Sequence, residues 1–375
     1  MLRKSLSVLL LFFLFFFVVP IAQAQTITQA ESVKARVTRI LDERTITREN
    51  GDVITQQNVE LVSLGGTTKG ETLEFKGIST IDVVSSRLYK AGDIVFVSIE
   101  YDEQNNRVVY ITDFVRERGL IILVILFVIV VGLIGGKVGW RSLLALVISF
   151  MLILEFLAPL ILAGYNPIII GPIATILILA ALIYITDGFN RKAHIAMLSI
   201  FVALIITFLL SWLFVNLTRL SGTSSEEVIY LIGDNIAALN FQGLLLAAII
   251  IGALGVLDDI AIGQIEAVEQ LRLNNPNQSK VNLFKSAMTI GRAHLGAIIN
   301  TLFLAYVGAS LPLILLFKIN SAPFLSFSQV INHEEIATEI VRGLVGVIGL
   351  CLTMPIATVL AVWLLFDKKG ESVKA

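Results

Sequence analysis

The stretch Phe241–Arg272, FQGLLLAAIIIGALGVLDDIAIGQIEAVEQLR, combines a membrane-length apolar run with two adjacent acids. A helix rises about 1.5 Å per residue, so the first half of this stretch can cross the ~30 Å hydrocarbon core of a bilayer. Asp258 and Asp259 lie inside the run, before Ile260–Ile262 closes it. A carboxylate at that depth is costly unless it finds a partner or water, and such groups are usually functional. The stretch therefore predicts a membrane helix that carries an ion, proton or substrate site.

Small and acidic residues share one face of this predicted helix. They recur at intervals of three or four residues, at Gly252, Gly255, Asp259, Gly263 and Glu266. Small residues let a neighbouring helix approach closely, so we expect Asp259 to point into a helix–helix seam. Asp258 lies about 100° further round the helix. Two other readings remain open, a structural pair that only fixes helix packing and carboxylates shallow enough to reach the interface.

The composition indicates a polytopic membrane protein. Of the 375 residues, 56% are hydrophobic and 15% are charged, whereas soluble domains are close to half apolar and about a quarter charged. The lipid bilayer is therefore the first expected partner. No basic patch stands out, so we expect no nucleic-acid binding. The single cysteine, Cys351, excludes an intramolecular disulfide and a cysteine-based metal site.

Residues 1–24 have the organisation of a secretory signal peptide. A basic start is followed by an apolar core and by Ala22-Gln23-Ala24, a typical cleavage signal. An uncleaved anchor helix is the alternative.

Residues 25–117 are predicted to form an extracytoplasmic, β-rich domain. Val33, Ala35 and Val37 alternate with charged residues, and two β-branched runs flank Asn105-Asn106 as in a hairpin. We expect five or six strands in a small β-barrel-like domain, either OB-like or SH3-like. The domain has no histidine and no cysteine, so we interpret it as a sensor, docking or assembly module.

Residues 118–366 form the predicted transmembrane helical domain, and residues 367–375 form a cytoplasmic tail. Seven apolar runs each approach the ~20 residues that a membrane span requires. They are Gly119–Gly136, Ser142–Ala163, Pro167–Thr186, His194–Leu217, the opening stretch, Leu295–Phe317 and Gly343–Phe366.

The distribution of basic residues predicts the orientation. With the β domain outside, the inside connections and the tail carry most of the basic residues, among them Lys137, Arg141, Arg191, Lys192, Arg272, Lys280, Lys285, Arg292, Lys368, Lys369 and Lys374. The positive-inside rule then places the N-terminal domain outside and the C-terminus inside. Two outer loops, residues 224–239 and 332–342, begin with helix N-terminal signals, and we expect both to form short amphipathic helices at the outer interface.

A second polar stretch faces the paired acids. Asn274-Asn275-Pro276 breaks the helix, and a new helix is predicted from about Lys280. Arg292 and His294 should then lie at the depth of the two aspartates, where opposite charges offset each other's desolvation. Asn300 could hydrogen-bond across the bundle, and Gly291 and Gly296 are candidate packing positions. For Arg292 the alternatives are a structural ion pair and a basic residue that only anchors the inner end of the helix. For Asn300 the alternative is a polar residue that only helps the helices to pack.

Glu155 is a further acid within a predicted span. It lies near the outer end of its run, beside Pro159. We interpret it as part of a second gate or of an alternating-access pathway. The alternatives are a carboxylate that reaches the outer interface and a packing partner.

Three stretches make the chain resemble the YibE/F family of bacterial integral membrane proteins. They are Gly252–Gln264 (GALGVLDDIAIGQ), Ser286–Gly296 (SAMTIGRAHLG) with its continuation Asn300–Pro312, and Ile331–Ala337 (INHEEIA). The resemblance implies a multi-span protein of the bacterial cytoplasmic membrane and no particular activity. The family pattern often has an acid after the Gly-Arg pair, where this chain has Ala293. That departure moves the emphasis to Asp259.

The function that we expect is secondary transport of a small solute or ion. An acidic seam, a facing Arg/His cluster and many glycines favour it, coupled to protons or to another cation. Asp258, Asp259 and Glu266 offer oxygen ligands for a hard divalent cation, although adjacent helical carboxylates point apart. The alternative is a non-transporting sensor, immunity or assembly protein that acts through the β domain with a protein partner. A homo-oligomer stays open.

We expect no enzyme activity and no cofactor. Adjacent aspartates on one helix cannot share a proton as the dyad of an aspartic protease does. His333-Glu334-Glu335 lacks the second histidine of a zinc-binding helix, and no phosphate-binding loop is present.

Overall fold

The computed structural model describes residues 31–47, 53–78, 88–102, 104, 106–233, 239–319 and 326–365. The predicted signal peptide and cytoplasmic tail lie outside these residues. The chain divides into two compact units, with the boundary at Val130 and Val131 inside the first long helix.

The N-terminal unit contains a five-stranded antiparallel half-barrel, which confirms the expected small β domain. The strands are β1 (Glu31–Thr47), β2 (Val53–Ser63), β3 (Thr72–Lys76), β4 (Ile94–Tyr101) and β5 (Arg107–Phe114). Their order in the sheet is β3-β2-β1-β4-β5, and every neighbouring pair is antiparallel. The hairpin expected around Asn105-Asn106 is the β4–β5 pair.

The alternating pattern of β1 explains the core of this sheet. Val33, Ala35 and Val37 are 4%, 0% and 1% exposed, whereas the residues between them face outward. Successive side chains of a strand point to opposite faces, so a single register places all three on the buried face. Val95 and Val97 of β4 cover them from the neighbouring strand.

Helices form the rest of the described chain. They are α1 (Glu117–Met151), a π-helical turn (Leu152–Leu157), α2 (Ala158–Leu162), α3 (Pro167–Thr186), α4 (Arg191–Leu217), α5 (Glu226–Gly233), α6 (Phe241–Asn274), α7 (Lys280–Ala309), α8 (Leu311–Ile319), α9 (Phe327–Asn332) and α10 (Glu334–Leu364). Six helical runs in the described residues are long and apolar enough to cross a membrane, so the chain is a multi-pass membrane protein.

The first of these runs, Glu117–Leu162, contains two of the seven predicted spans. Its 46 residues would be about 69 Å long as a straight helix, more than twice the bilayer core. The chain reverses at Gly136, whose φ of 54° and ψ of −132° are non-helical. As a result, a Cβ on Gly132 would lie 2.7 Å from the Trp140 ring, which a straight helix would keep two turns away.

A π-helical turn marks the end of the second span. The backbone N–H of Ala158 donates to the carbonyl of Ile153, five residues earlier. Pro159 has no N–H to donate to the carbonyl of Glu155, which favours a locally widened turn. Glu155 lies within this turn.

The helical unit packs around α6 and α10, whose apolar windows are each 56% buried. The α4 and α10 helices pack closely where Thr207 of α4 meets Gly349 of α10. A Cβ on Gly349 would collide with Thr207, and both residues lie on buried faces. The Thr207 hydroxyl donates to the carbonyl of Ala203 at 2.9 Å, so the buried polar group is satisfied within its own helix.

The last helix differs from the prediction. The first expected surface helix is present as α5, but the second, at residues 332–342, forms the opening turns of α10. The reason is that Glu334 starts a helix with no breaker before the span. Its carboxylate accepts hydrogen bonds from the backbone N–H groups of Ser221 (2.6 Å) and Gly222 (3.0 Å). The predicted sixth span is also divided, because α7 ends at Ala309 and α8 begins at Leu311.

Candidate functional site

The α6 helix brings Asp258 to a sheltered position near the buried Leu257 and Ile260. The Oδ1 atom of Asp258 is buried and has no hydrogen-bond partner among the described residues. An ionised carboxylate oxygen in that condition is costly, because neither water nor a donor offsets its desolvation. Asp258 is therefore suited to hold a proton or to attract a cation.

A charged pocket lies beside Asp258, where three elements converge. Asp187 ends α3, Lys192 lies in the first turn of α4, and Glu266 lies two turns after Asp258 on α6. The pocket has a volume of about 220 Å³ and is lined by Asp187, Asn190, Lys192, Ala193, Ala196, Ile262, Ile265 and Glu266. Asp187 is close enough to Asp258 for the two carboxyls to interact electrostatically. The pocket therefore continues the polar environment of Asp258.

Lys192 joins α4 to α6 through two carboxylates. Its Nζ lies 3.2 Å from Glu266 Oε2 and also contacts Glu269. Glu266 additionally accepts a hydrogen bond from the Gln270 amide at 3.1 Å. Asn190 fixes the start of α4, because its side chain accepts a hydrogen bond from the backbone N–H of Ala193 at 2.9 Å. The lysine can thus exchange partners without leaving the pocket.

Asp187 lies at the rim of this pocket with mixed charges around it. Partial burial raises the pKa of the Asp187 carboxyl, Lys192 opposes that shift, Glu266 adds to it, and Arg141 opposes it. The net effect is a raised pKa. Asp187 therefore accepts a proton more readily than a fully solvated aspartate does.

Asp259 does not lie in a helix–helix seam as predicted. Gly252, Gly255 and Asp259 are exposed, and a Cβ on either of these two glycines would meet nothing within 4 Å. The reason is that α6 packs on α4 and α10 through its leucine, isoleucine and alanine side chains. The part of the small and acidic face from Gly252 to Asp259 is left exposed.

This face approaches α7 at Gly263. A Cβ on Gly263 would lie 3.8 Å from Nδ1 of His294, and His294 and Asp259 interact electrostatically. The predicted proximity of Asp259 and His294 is therefore present, at the edge of the exposed face. Arg292 is exposed on α7 and forms no ion pair with either aspartate among the described residues.

The remaining predicted residues lie apart from the pocket. Asn300 and Gly296 are exposed on α7, and Glu155 is exposed in the π-helical turn. Gly291 is buried against Gln264 and Met354. Among the described residues, Gly252, Gly255 and Gly296 thus contact no other helix, in contrast to the predicted packing role.

Sequence reasoning missed Asp187 and Lys192 as members of the charged pocket, and Glu269 as a contact of Lys192. In the sequence, Lys192 contributes only to the predicted orientation, and Asp187 ends an apolar run. A signal was present, because an acid and a base flank the short loop between two predicted spans. No group of three or more metal-ligating side chains occurs within the described ranges.

Comparison with known families matches both parts of the chain. The family described as YibE/F-like protein matches residues 123–367, and the YibE/F family N-terminal domain matches residues 25–114. Neither the curated proteins nor the solved structures contain a match.

Proposed function

Because the chain belongs to the YibE/F-like family of multi-pass membrane proteins, we propose that it is a secondary transporter coupled to protons or a cation through Asp258. We further propose that it lies in the bacterial cytoplasmic membrane with its β domain outside and its C-terminus inside. The observation that carries the transport proposal is the buried Oδ1 of Asp258, which has no partner among the described residues.

A proton or a small cation would complete the environment of this carboxyl. When Asp258 is protonated its buried oxygen no longer carries a full charge, so the surrounding apolar packing is tolerated. When it is ionised it favours a cation or an opening of the helices that admits water. Ion-coupled transport requires a group whose protonated and ionised forms favour different arrangements of the packed helices.

The charged pocket supplies the route between Asp258 and bulk water. Asp187 interacts with Asp258 and lies at the pocket rim, so it can receive the proton that Asp258 releases. Lys192 holds Glu266 and Glu269 together and can stabilise whichever carboxylate is ionised. These steps are proton transfers and conformational changes, and we propose no covalent chemistry and no enzyme activity.

The first test is a direct measurement of the protonation of Asp258. Purified protein is titrated between about pH 5 and pH 9 while the infrared carbonyl band of protonated carboxyls is recorded. We expect a band that disappears as pH rises and that is absent from Asp258→Asn. Glu335→Gln is the matched control, because Glu335 is an exposed acid of α10, and it should keep the band.

The second test asks which ion binds. The thermal unfolding of wild type and Asp258→Asn is measured in Na⁺, K⁺, Mg²⁺ and Mn²⁺ at fixed pH and ionic strength. An ion that stabilises wild type alone identifies the coupling cation, and its uptake into proteoliposomes is then followed. A titration band that Asp258→Asn leaves unchanged, together with no selective ion effect, would overturn the proposal.

A second candidate function rests on the β1–β2 hairpin. Beyond Asp42↔Asn58, β1 pairs only with β2, up to Thr47↔Val53, so the hairpin extends past its neighbouring strands. Val53 on this extension is 66% exposed. Such an arm suits docking of a protein partner to the β domain. Gln57 holds the Tyr89 backbone in the β domain, so the test variant replaces only residues 45–55 by an Asn-Gly turn. If this variant reproduces the loss-of-gene phenotype and Asp258→Asn does not, docking is favoured over transport.

A further inference from the structure

Among the membrane helices that carry polar residues, α7 is the one least buried by the rest of the protein. Only 6% of its apolar window is buried, the same share as for the first helical run, Glu117–Leu162. Between Leu120 and Ile134 of that first run, every uncovered residue is leucine, isoleucine, valine or phenylalanine, which lipid solvates well. The uncovered face of α7 carries Arg292 and Asn300 instead. Lipid is a poor environment for those groups.

Asn300 lies on the side of α7 that faces away from the other helices. Gly291 lies on the packed side of α7, because it contacts Gln264 of α6 and Met354 of α10. Nine residues later, at about 100° per residue, Asn300 lies about 180° from Gly291. Its neighbours on this side are Ala293, Gly296, Ala297 and Leu304, which are all exposed. Asn300 is also two turns, about 12 Å, further into the membrane than Arg292.

An asparagine amide is its own hydrogen-bonding complement. It has a donor and an acceptor, so two copies related by a two-fold axis can bond reciprocally. The small residues around Asn300 leave room for two helices to approach closely, and nothing lies within 4 Å of a Cβ on Gly296. These properties fit a second copy of the same helix.

The charges on the flanks of α7 also fit a two-fold arrangement. His294 faces α6, where it meets Gly263. Arg292 lies on the opposite flank, about 40° from Tyr306, and Tyr306 contacts Gly343 of α10. When two copies are related by a two-fold axis along the membrane normal, the side of α7 next to α10 in one copy faces the side of α7 next to α6 in the other. Arg292, which forms no ion pair in the described part of the chain, then faces the exposed Asp259 of the second copy.

The depths of these two residues agree. Gly291 lies level with Gln264, which it contacts, so Arg292 lies about one helical turn, ~5 Å, from the level of Asp259. An arginine side chain spans that distance. We propose that the chain forms a two-fold symmetric dimer through the outward face of α7, with Asn300 at its centre and Arg292 of each copy paired with Asp259 of the other.

Cysteine cross-linking in native membranes tests the central contact. Ala293→Cys, about 20° from Asn300 around the helix axis, is made in a Cys351→Ala background, since Cys351 is the chain's single cysteine. Leu209→Cys on α4, which is 55% exposed, is the control for random collision. We expect a disulfide-linked dimer from Ala293→Cys and at least tenfold less from Leu209→Cys. Equal cross-linking of the two variants, a product larger than a dimer, or no dimer would each overturn the proposal.

Exchanged charges test the flanking contact. Arg292→Glu alone and Asp259→Arg alone place like charges at both flanking contacts of a homodimer, so each should associate at least tenfold less than wild type. Co-expression of the two variants with different tags restores opposite charges at both contacts. Co-purification of the two tags should then recover, whereas mixed pairs no more frequent than like pairs would refute the arrangement. Neither test depends on transport, so failure of the dimer leaves the proposal for Asp258 untouched.

Discussion

The hydroxyl of Thr358 lies 2.8 Å from the side-chain oxygen of Gln264 and 2.7 Å from the carbonyl of Met354 in its own helix, so its one proton is shared between two acceptors and links α10 to α6 inside the helical unit. Gln264 is 1% exposed and Thr358 is fully buried. The two most buried helices are thus joined by a polar contact that water cannot replace. Its position beside Gly291 makes it the meeting point of α6, α7 and α10.

Thr358→Val should destabilise the protein more than Thr353→Val. Both threonines are fully buried, and valine has nearly the same shape. Each hydroxyl contacts a carbonyl of its own helix, and among the described residues Thr358 alone of the two also contacts another helix, at the buried Gln264 oxygen. An unsatisfied buried acceptor costs about 1–3 kcal/mol. Thermal unfolding in detergent measures the difference, and equal melting temperatures for the two variants would contradict this account.

Gly291→Ala should loosen α7 from its neighbours. A Cβ at this position would lie 2.8 Å from Met354 Sδ and would collide with the Gln264 amide. Overpacking of this kind typically costs about 1–3 kcal/mol. Gly255→Ala is the control, because its Cβ meets open space and alanine favours a helix by about 1 kcal/mol. We expect a lower melting temperature for the first variant and an unchanged or higher one for the second.

Gly136→Ala should destabilise the reversal between the first two spans. Gly136 has a φ of 54° with a ψ of −132°, a combination that is strained for a residue with a Cβ, at a cost of about 1–3 kcal/mol. Gly135→Ala is the neighbouring control, since Gly135 has no positive φ and open space around it. The readout is thermal unfolding, together with cross-linking of cysteines at positions 132 and 140 in a Cys351→Ala background. Efficient cross-linking and equal stability in both alanine variants would argue against a strained reversal.

Asp187→Asn should alter how stability depends on pH. The folded protein raises the pKa of Asp187, so the folded state binds a proton more tightly than the unfolded state does. The sign follows from linkage: the contribution of Asp187 to stability is full below the unfolded pKa and declines as pH rises through the folded pKa. The variant should lack this decline and should be more stable than wild type at neutral pH.

The control for this pH dependence is Asp102→Asn. Hydrogen bonds from Asn106, led by its backbone N–H, lower the pKa of Asp102, so its linkage has the opposite sign. Melting temperatures of wild type and both variants are recorded between about pH 4 and pH 8, across the ordinary aspartate range and above it. A wild-type profile that Asp187→Asn reproduces would show that Asp187 does not titrate in that window.

Several features could be predicted from the sequence because they depend on local pattern. The alternation of Val33, Ala35 and Val37 requires one buried strand face, whichever strand covers it. The apolar run before Asp258 requires a membrane span, and Asn275-Pro276 requires the break before α7. Propensity and side-chain period act within a few residues, so they are readable without the fold.

Other features depended on contacts between distant parts of the chain. The pattern Gly252, Gly255, Asp259 correctly indicated one helix face, but the tertiary packing of α4 and α10 left that face open. Asp187, Lys192 and Glu266 belong to three separate helix ends or faces, and only the bundle brings them around one pocket. Periodicity states which side chains share a face. Which neighbour covers that face is decided by the competition of every other helix for the same contacts, and that competition exists only in the folded chain.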